Sequence, residues 1–146
     1  MVIQNCRMTD RQKVWLAEER LTHLVLKAFY RVYNRLGFGF LEHVYVKALE
    51  IELRRLGLRV AREVSVRVYY DGEYLCRYRI DMVVNEKLVV EVKSTYELRR
   101  GAPRQLLNEL RATTLEVGLL LHFGSEPKFY RLHAPNSQKK HHQQSD

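Results

Sequence analysis

The sequence predicts a mixed helix-and-strand domain, α+β or α/β. Three patterns carry the prediction: two helical-period segments at the start, a period-two stretch broken by short turns, and a later helix followed by a fully apolar run. Thr9-Asp10-Arg11-Gln12 offers an N-cap with a capping-box glutamine. From about Val14 to Leu36, Leu21, Leu24, Val25, Ala28, Phe29, Val32 and Leu36 recur at helical spacing, so a long first helix is expected. Gly37-Phe38-Gly39 ends it, and a second helix is expected from about Leu41 to Leu56, closed by Gly57. Arg59 to Val68 then alternates as a half-exposed strand, and Asp71-Gly72 marks a hairpin turn. Two further antiparallel strands are expected at Glu73 to Val84 and Lys87 to Ser94, joined by a tight turn at Asn85-Glu86. Pro103 suits the first position of a helix reaching about Ala112. Val117 to Phe123 reads as a fully buried strand and Phe129 to His133 as a short last one.

At 146 residues the chain fits one domain, expected over residues 1–135 with a loose arm at 1–8 and a disordered polar tail at 136–146. Hydrophobic residues at 46% and charged residues at 29% argue against a disordered chain. No stretch approaches the roughly 20 apolar residues of a membrane span, and the first residues lack a signal-peptide core. The two cysteines, Cys6 and Cys76, have no zinc or disulfide-framework spacing, so a reducing cytoplasm is the expected location. Twenty-five Lys and Arg against seventeen Asp and Glu give a net charge of +8, the footprint of a nucleic-acid partner.

The hairpin around Asn85-Glu86 contains a pair of acids that folding alone would not choose. If the apolar sets share a face, Ile80 opposes Val92, Met82 opposes Val90 and Val84 opposes Leu88. Asp81 then falls opposite Glu91, and Arg79 opposite Lys93; both are like-charge pairs and mildly destabilising. Magnesium or manganese between Asp81 and Glu91 would remove the acid repulsion, because oxygen-rich sites with open water positions suit these ions. Lys93 could position or activate a water, or stabilise charge on a phosphate, and Arg79 would suit a phosphate oxygen. Together these are the parts of metal-assisted phosphodiester hydrolysis. The bland alternative is a solvated cross-strand ladder in which Asp81 and Lys93 pair diagonally. Glu42 falls on the same helix face as Tyr45, Leu49, Leu53 and Leu56, an odd place for an acid that does no more than complement a helix dipole.

Gly39-Phe40-Leu41-Glu42-His43-Val44-Tyr45 resembles the Gly-x-x-Glu-x-x-Tyr signature of the small prokaryotic GxxExxY proteins, a branch of the PD-(D/E)XK nuclease superfamily. Asp81, nine intervening residues and then Glu91-Val92-Lys93 is similar to that superfamily's D...(E)xK core, and Gln105-Leu106-Leu107-Asn108 to its Gln-containing helix. The resemblance runs from about Leu24 to Gly124. It implies a restriction-endonuclease-like core, a mixed sheet flanked by helices, and a magnesium site. By the same resemblance Asp81 and Glu91 would ligate metal, Glu42 would complete or support the site, Lys93 would act on water or phosphate, and Gln105 would orient Lys93 or the substrate. Ala102 and Glu109 stand where the pattern usually carries a histidine and a tyrosine, and His122 where an asparagine is expected.

Tyr45 could donate a hydrogen bond to a carboxylate or phosphate, or be a core tyrosine with a satisfied hydroxyl. Arg99, Arg100, Arg104 and Arg111 cluster around the third helix, where they could track a phosphate backbone or simply face solvent. The expected activity is a magnesium-dependent nuclease acting on DNA or RNA, with a homodimer suited to cutting both strands. The alternatives are a non-catalytic nucleic-acid-binding or partner-recruiting module, and an enzyme acting on a small phosphorylated metabolite.

Overall fold

The computed structural model describes residues 8–139. Within α1 the side chains of residues 13–17 are not described. The expected loose arm lies outside the described residues except for Met8, and so do residues 140–146 of the expected disordered tail.

Thr9 caps α1 (Asp10–Leu36) with the expected capping box, its side chain accepting from the Gln12 amide while the Gln12 side chain accepts from the Thr9 amide. Gly37 takes φ 70° at the other end and turns the chain into α2 (Glu42–Arg55). The strands β1 (Val60–Tyr70), β2 (Glu73–Val84) and β3 (Leu88–Lys93) follow. Then come α3 (Ala102–Arg111), which has Pro103 in its first turn, β4 (Val117–Phe123) and β5 (Pro127–His133).

The five strands form one sheet in chain order, antiparallel except for β3 and β4, which run parallel through the α3 crossover. Parallel neighbours with helices on both faces have no solvated side, which is why every residue of β4 and all but Lys93 of β3 are buried. On one face α1 and α2 pack Val25, Phe29, Tyr45, Leu49 and Leu53 onto Met82, Val90, Leu119, Leu121 and Phe123. On the other, α3 packs Leu106 and Leu110 onto Val89 and Leu120.

Two expectations are corrected. Ile80 does not share a face with Met82 and Val84, because it is buried in the α3-side cluster while they face α1 and α2. Regular pairing of β2 with β3 covers Met82–Val90, Val83–Val89 and Val84–Leu88 only, so Ile80–Val92 and Arg79–Lys93 are not ladder pairs. The reason lies in β1, where Glu63 takes φ 52° and is skipped between the pairs Arg62–Met82 and Val64–Ile80. That left-handed residue re-aims both strands: Val60 packs toward α1 and α2, Val64 and Val66 toward α3. The second correction concerns the tail. Asn136–Gln138 form a short 3₁₀ helix, the Asn136 amide donates to Glu116 Oε2 at 2.9 Å, and Lys139 Nζ donates to the carbonyls of Thr113 and Leu115 at 2.7 and 2.8 Å. A lysine that satisfies carbonyls left open after α3 anchors the chain beyond residue 135.

Candidate active site

The twist in β2 opens a gap beside β3 where the regular ladder stops, and the next residue on each strand is an acid. Here the side chains replace the ladder. The Asp81 amide donates to Glu91 Oε1 at 3.1 Å, and the Val92 amide donates to Asp81 Oδ2 at 2.8 Å. Each carboxylate thus spends one oxygen on the other strand's backbone, which fixes both acids side by side despite their repulsion. Glu91 is only 7% exposed, which removes the solvated-ladder alternative for it. Its pKa is pushed up to about 9, first by burial and then by the Asp81 and Glu109 charges, against the Asp81 amide and Lys93.

Glu42 is the first residue of α2, and that helix end meets the end of β3, where Ser94 Oγ donates to the Phe40 carbonyl. Burial, then the Asp81 charge, raises the Glu42 pKa, while Lys93 and the Ser94 amide oppose the rise. The charges of Asp81 and Lys93 thus act on both Glu42 and Glu91, which α2 and β3 carry to the same place.

Other expected site residues are placed differently. Tyr45 is fully buried, its ring stacked on Phe123 at 4.2 Å, and its hydroxyl donates to the Gly37 carbonyl at 2.6 Å and accepts from the Phe40 amide at 3.2 Å. The hydroxyl is committed to the backbone of the Gly37–Leu41 loop, so Tyr45 positions the approach to Glu42 instead of touching a phosphate. Gln105 is exposed, and its Nε2 donates to Glu109 Oε1 at 3.3 Å. Arg79 is exposed and lies 3.5 Å from Glu63, while Arg99, Arg100 and Arg104 are exposed around the start of α3.

Glu109, which stands where the family pattern usually carries a tyrosine, does not face solvent. It is 3% exposed, and Oε2 has no hydrogen-bond donor among the described residues. Burial raises its pKa, against the Gln105 amide and the Lys93 charge. The signal was available: Ala102, Leu106 and Leu110 lie seven and three residues before it and one after, which puts Glu109 on the buried face of α3. His122 is also buried, with Nε2 2.8 Å from the Thr95 carbonyl, and it ties the segment after β3 to β4.

Hard oxygen donors with free lone pairs are the right chemistry for a divalent cation. Among the described residues no three His, Cys, Asp or Glu side chains converge into a ready-made cage. Magnesium does not require one, because it usually binds through one or two carboxylates and keeps waters and phosphate oxygens for the rest. The free oxygens of Asp81 and Glu91 meet that description.

A family model described as the PD-(D/E)XK nuclease superfamily matches residues 19–132. The chain belongs to the PD-(D/E)XK nuclease superfamily, and its five-stranded mixed sheet flanked by helices is the restriction-endonuclease-like arrangement expected for it. No curated protein matches the chain. Among solved structures, the crystal structure of SSO0001 is similar, with a TM-score of 0.50 and 20% identity over 64% of this chain and 50% of that one. This likeness concerns the fold alone, and the match spans half the length of the SSO0001 chain. Among the described residues no helix is long and apolar enough to cross a membrane.

Proposed function

We propose that this protein is a metal-dependent nuclease of the GxxExxY type that hydrolyses phosphodiester bonds of DNA or RNA in the gap between β2 and β3. The observation that carries the reading is the Asp81–Glu91 interlock, two acids fixed side by side by each other's backbone, with Lys93 two residues further on. Asp81 and Glu91 would hold Mg2+ or Mn2+, with Glu42 completing or supporting the site from α2. When bound, the ion supplies positive charge for the phosphate and for an attacking hydroxide. Lys93 positions that water or stabilises charge on the phosphate, and Gln105 and Glu109 hold the α3 side of the site. Arg79, Arg99, Arg100 and Arg104 are exposed cations suited to tracking the phosphate backbone, in keeping with the net charge of +8. The free thiol of exposed Cys76 suits a reducing cytoplasm, and cutting both strands of a duplex would call for a second copy of the chain.

The test is cleavage of labelled single- and double-stranded DNA and RNA with magnesium, comparing the wild type with Asp81→Ala and Lys93→Ala. Each variant should keep its circular dichroism spectrum and lose about 10²-fold or more of its rate. Undiminished cleavage by both folded variants would reject the reading.

A further inference from the structure

Beside the acids stands a group of large apolar side chains that remain exposed. Phe38, Phe40, Leu41 and Tyr96 are 45%, 46%, 71% and 71% exposed. They come from two segments brought together at the site: the Gly37–Leu41 loop, which runs directly into Glu42, and the segment that follows Lys93. Phe38 and Tyr96 meet edge to face with ring centroids 5.9 Å apart, and Ser94 Oγ donates to the Phe40 carbonyl.

This exposure is not that of a loose loop. Gly37 and Gly39 adopt φ 70° and 110°, conformations that push the intervening Phe38 outward, and the buried Tyr45 hydroxyl bonds both the Gly37 carbonyl and the Phe40 amide. One deeply buried tyrosine thus ties down the backbone that carries Phe38 and Phe40 just ahead of Glu42. An apolar surface held rigidly in water costs stability, and its use lies in what it contacts.

We propose that Phe38, Phe40, Leu41 and Tyr96 form a stacking platform for unpaired bases next to the scissile phosphate, so that the substrate class is single-stranded or locally unpaired nucleic acid. The proposal rests on the nuclease reading and names its substrate. In a closed duplex the faces of the bases are covered by their neighbours, so rings at the mouth of the site can stack only on bases already out of the helix. Lys93 before Tyr96, and Arg99 and Arg100 after it, supply the backbone-tracking charge that accompanies stacking in single-strand binding. Reading a duplex would instead call for polar side chains aimed at base edges, which this strip does not carry.

The test is fluorescence anisotropy without divalent metal, using a labelled oligothymidylate of about 20 nucleotides and a duplex of the same length. Phe38→Ala and Tyr96→Ala should each weaken oligothymidylate binding about tenfold and duplex binding less than about twofold, and Tyr96→Phe should retain wild-type affinity. Equal weakening for both ligands, or none, overturns the platform. Sedimentation checks the other occupant of an apolar surface: dimers that dissociate on Phe38→Ala with strand preference unchanged would assign it to a second copy of the chain and overturn the proposal. Because binding is read without metal, the outcome is separate from the cleavage test. A protein that cleaves but shows no strand preference keeps the nuclease reading and loses the platform, whereas one that prefers the single strand but cleaves nothing does the reverse.

Discussion

The face of the sheet covered by α1 and α2 and the face covered by α3 solve the burial problem differently. Between α1, α2 and the strands lies an apolar cluster centred on Phe123, whose ring lies 4.8 Å from Phe29, 4.2 Å from Tyr45 and 6.4 Å from Tyr33. Under α3 the apolar cluster is smaller, and Glu91, Glu109 and His122 are buried near it. Buried carboxylates oppose folding unless something compensates them. The difference teaches that one face supplies stability and the other hosts groups that reduce it, as expected where chemistry has been fitted into a core.

The largest effect should therefore come from breaking the apolar face. Phe123→Ala removes the ring against which three aromatic side chains pack and should cost about 3–5 kcal/mol, read as a lower urea midpoint at unchanged slope. A loss under about 1 kcal/mol would mean that the face is not the main source of stability. The variant also loosens the stacking that seats Tyr45, so the Gly37–Leu41 loop should become more mobile.

The α3 face should respond in the opposite direction. The Glu91 pKa in the folded protein stands at about 9, above its ordinary 4.5, so the folded state holds a proton that the unfolded chain releases. A raised carboxyl pKa favours the folded state below the unfolded value, and that advantage drains away as pH rises from about 4.5 to about 9. Metal-free protein should accordingly melt lower at about pH 8 than at about pH 5, and Glu91→Gln should flatten that slope and raise the melting temperature at the higher pH. A variant less stable than wild type at both pH values would show that the side-chain bond from the Asp81 amide outweighs the burial of the acid.

The same contrast explains what could be read from the sequence. The α1/α2 face follows simple periodicities, and Val25, Phe29, Leu49 and Leu53 fall on the expected stripes. The Met82–Val90 register was legible too, and it brought Asp81 beside Glu91 as anticipated. Ile80 was not, because its orientation depends on a left-handed glutamate at position 63, and glutamate carries none of the turn signal that glycine or asparagine would. Tyr45 was ambiguous for a different reason: a buried tyrosine with a polar tip looks the same in sequence whether the tip meets substrate or backbone. The burial of Glu109 was legible from helical spacing, since Ala102, Leu106 and Leu110 mark the buried face of α3.

The smallest predicted effect tests how tightly α3 is held. Gly118 of β4 lies under that helix, and a methyl group there would come within 3.1 Å of Leu110 Cδ1 and 3.3 Å of both Leu106 Cδ atoms. These are ends of flexible side chains, so Gly118→Ala should force small leucine shifts costing about 1 kcal/mol, partly offset by the roughly 0.5 kcal/mol that alanine gains over glycine inside a strand. The net loss should be well under that of Phe123→Ala in the same denaturation experiment. A loss of comparable size would mean that α3 cannot yield even a few tenths of an ångström. The face that carries Glu91 and Glu109 would then be as rigidly packed as the apolar one, and the two acids would owe their proximity to the packing of α3 as much as to the gap in the strands.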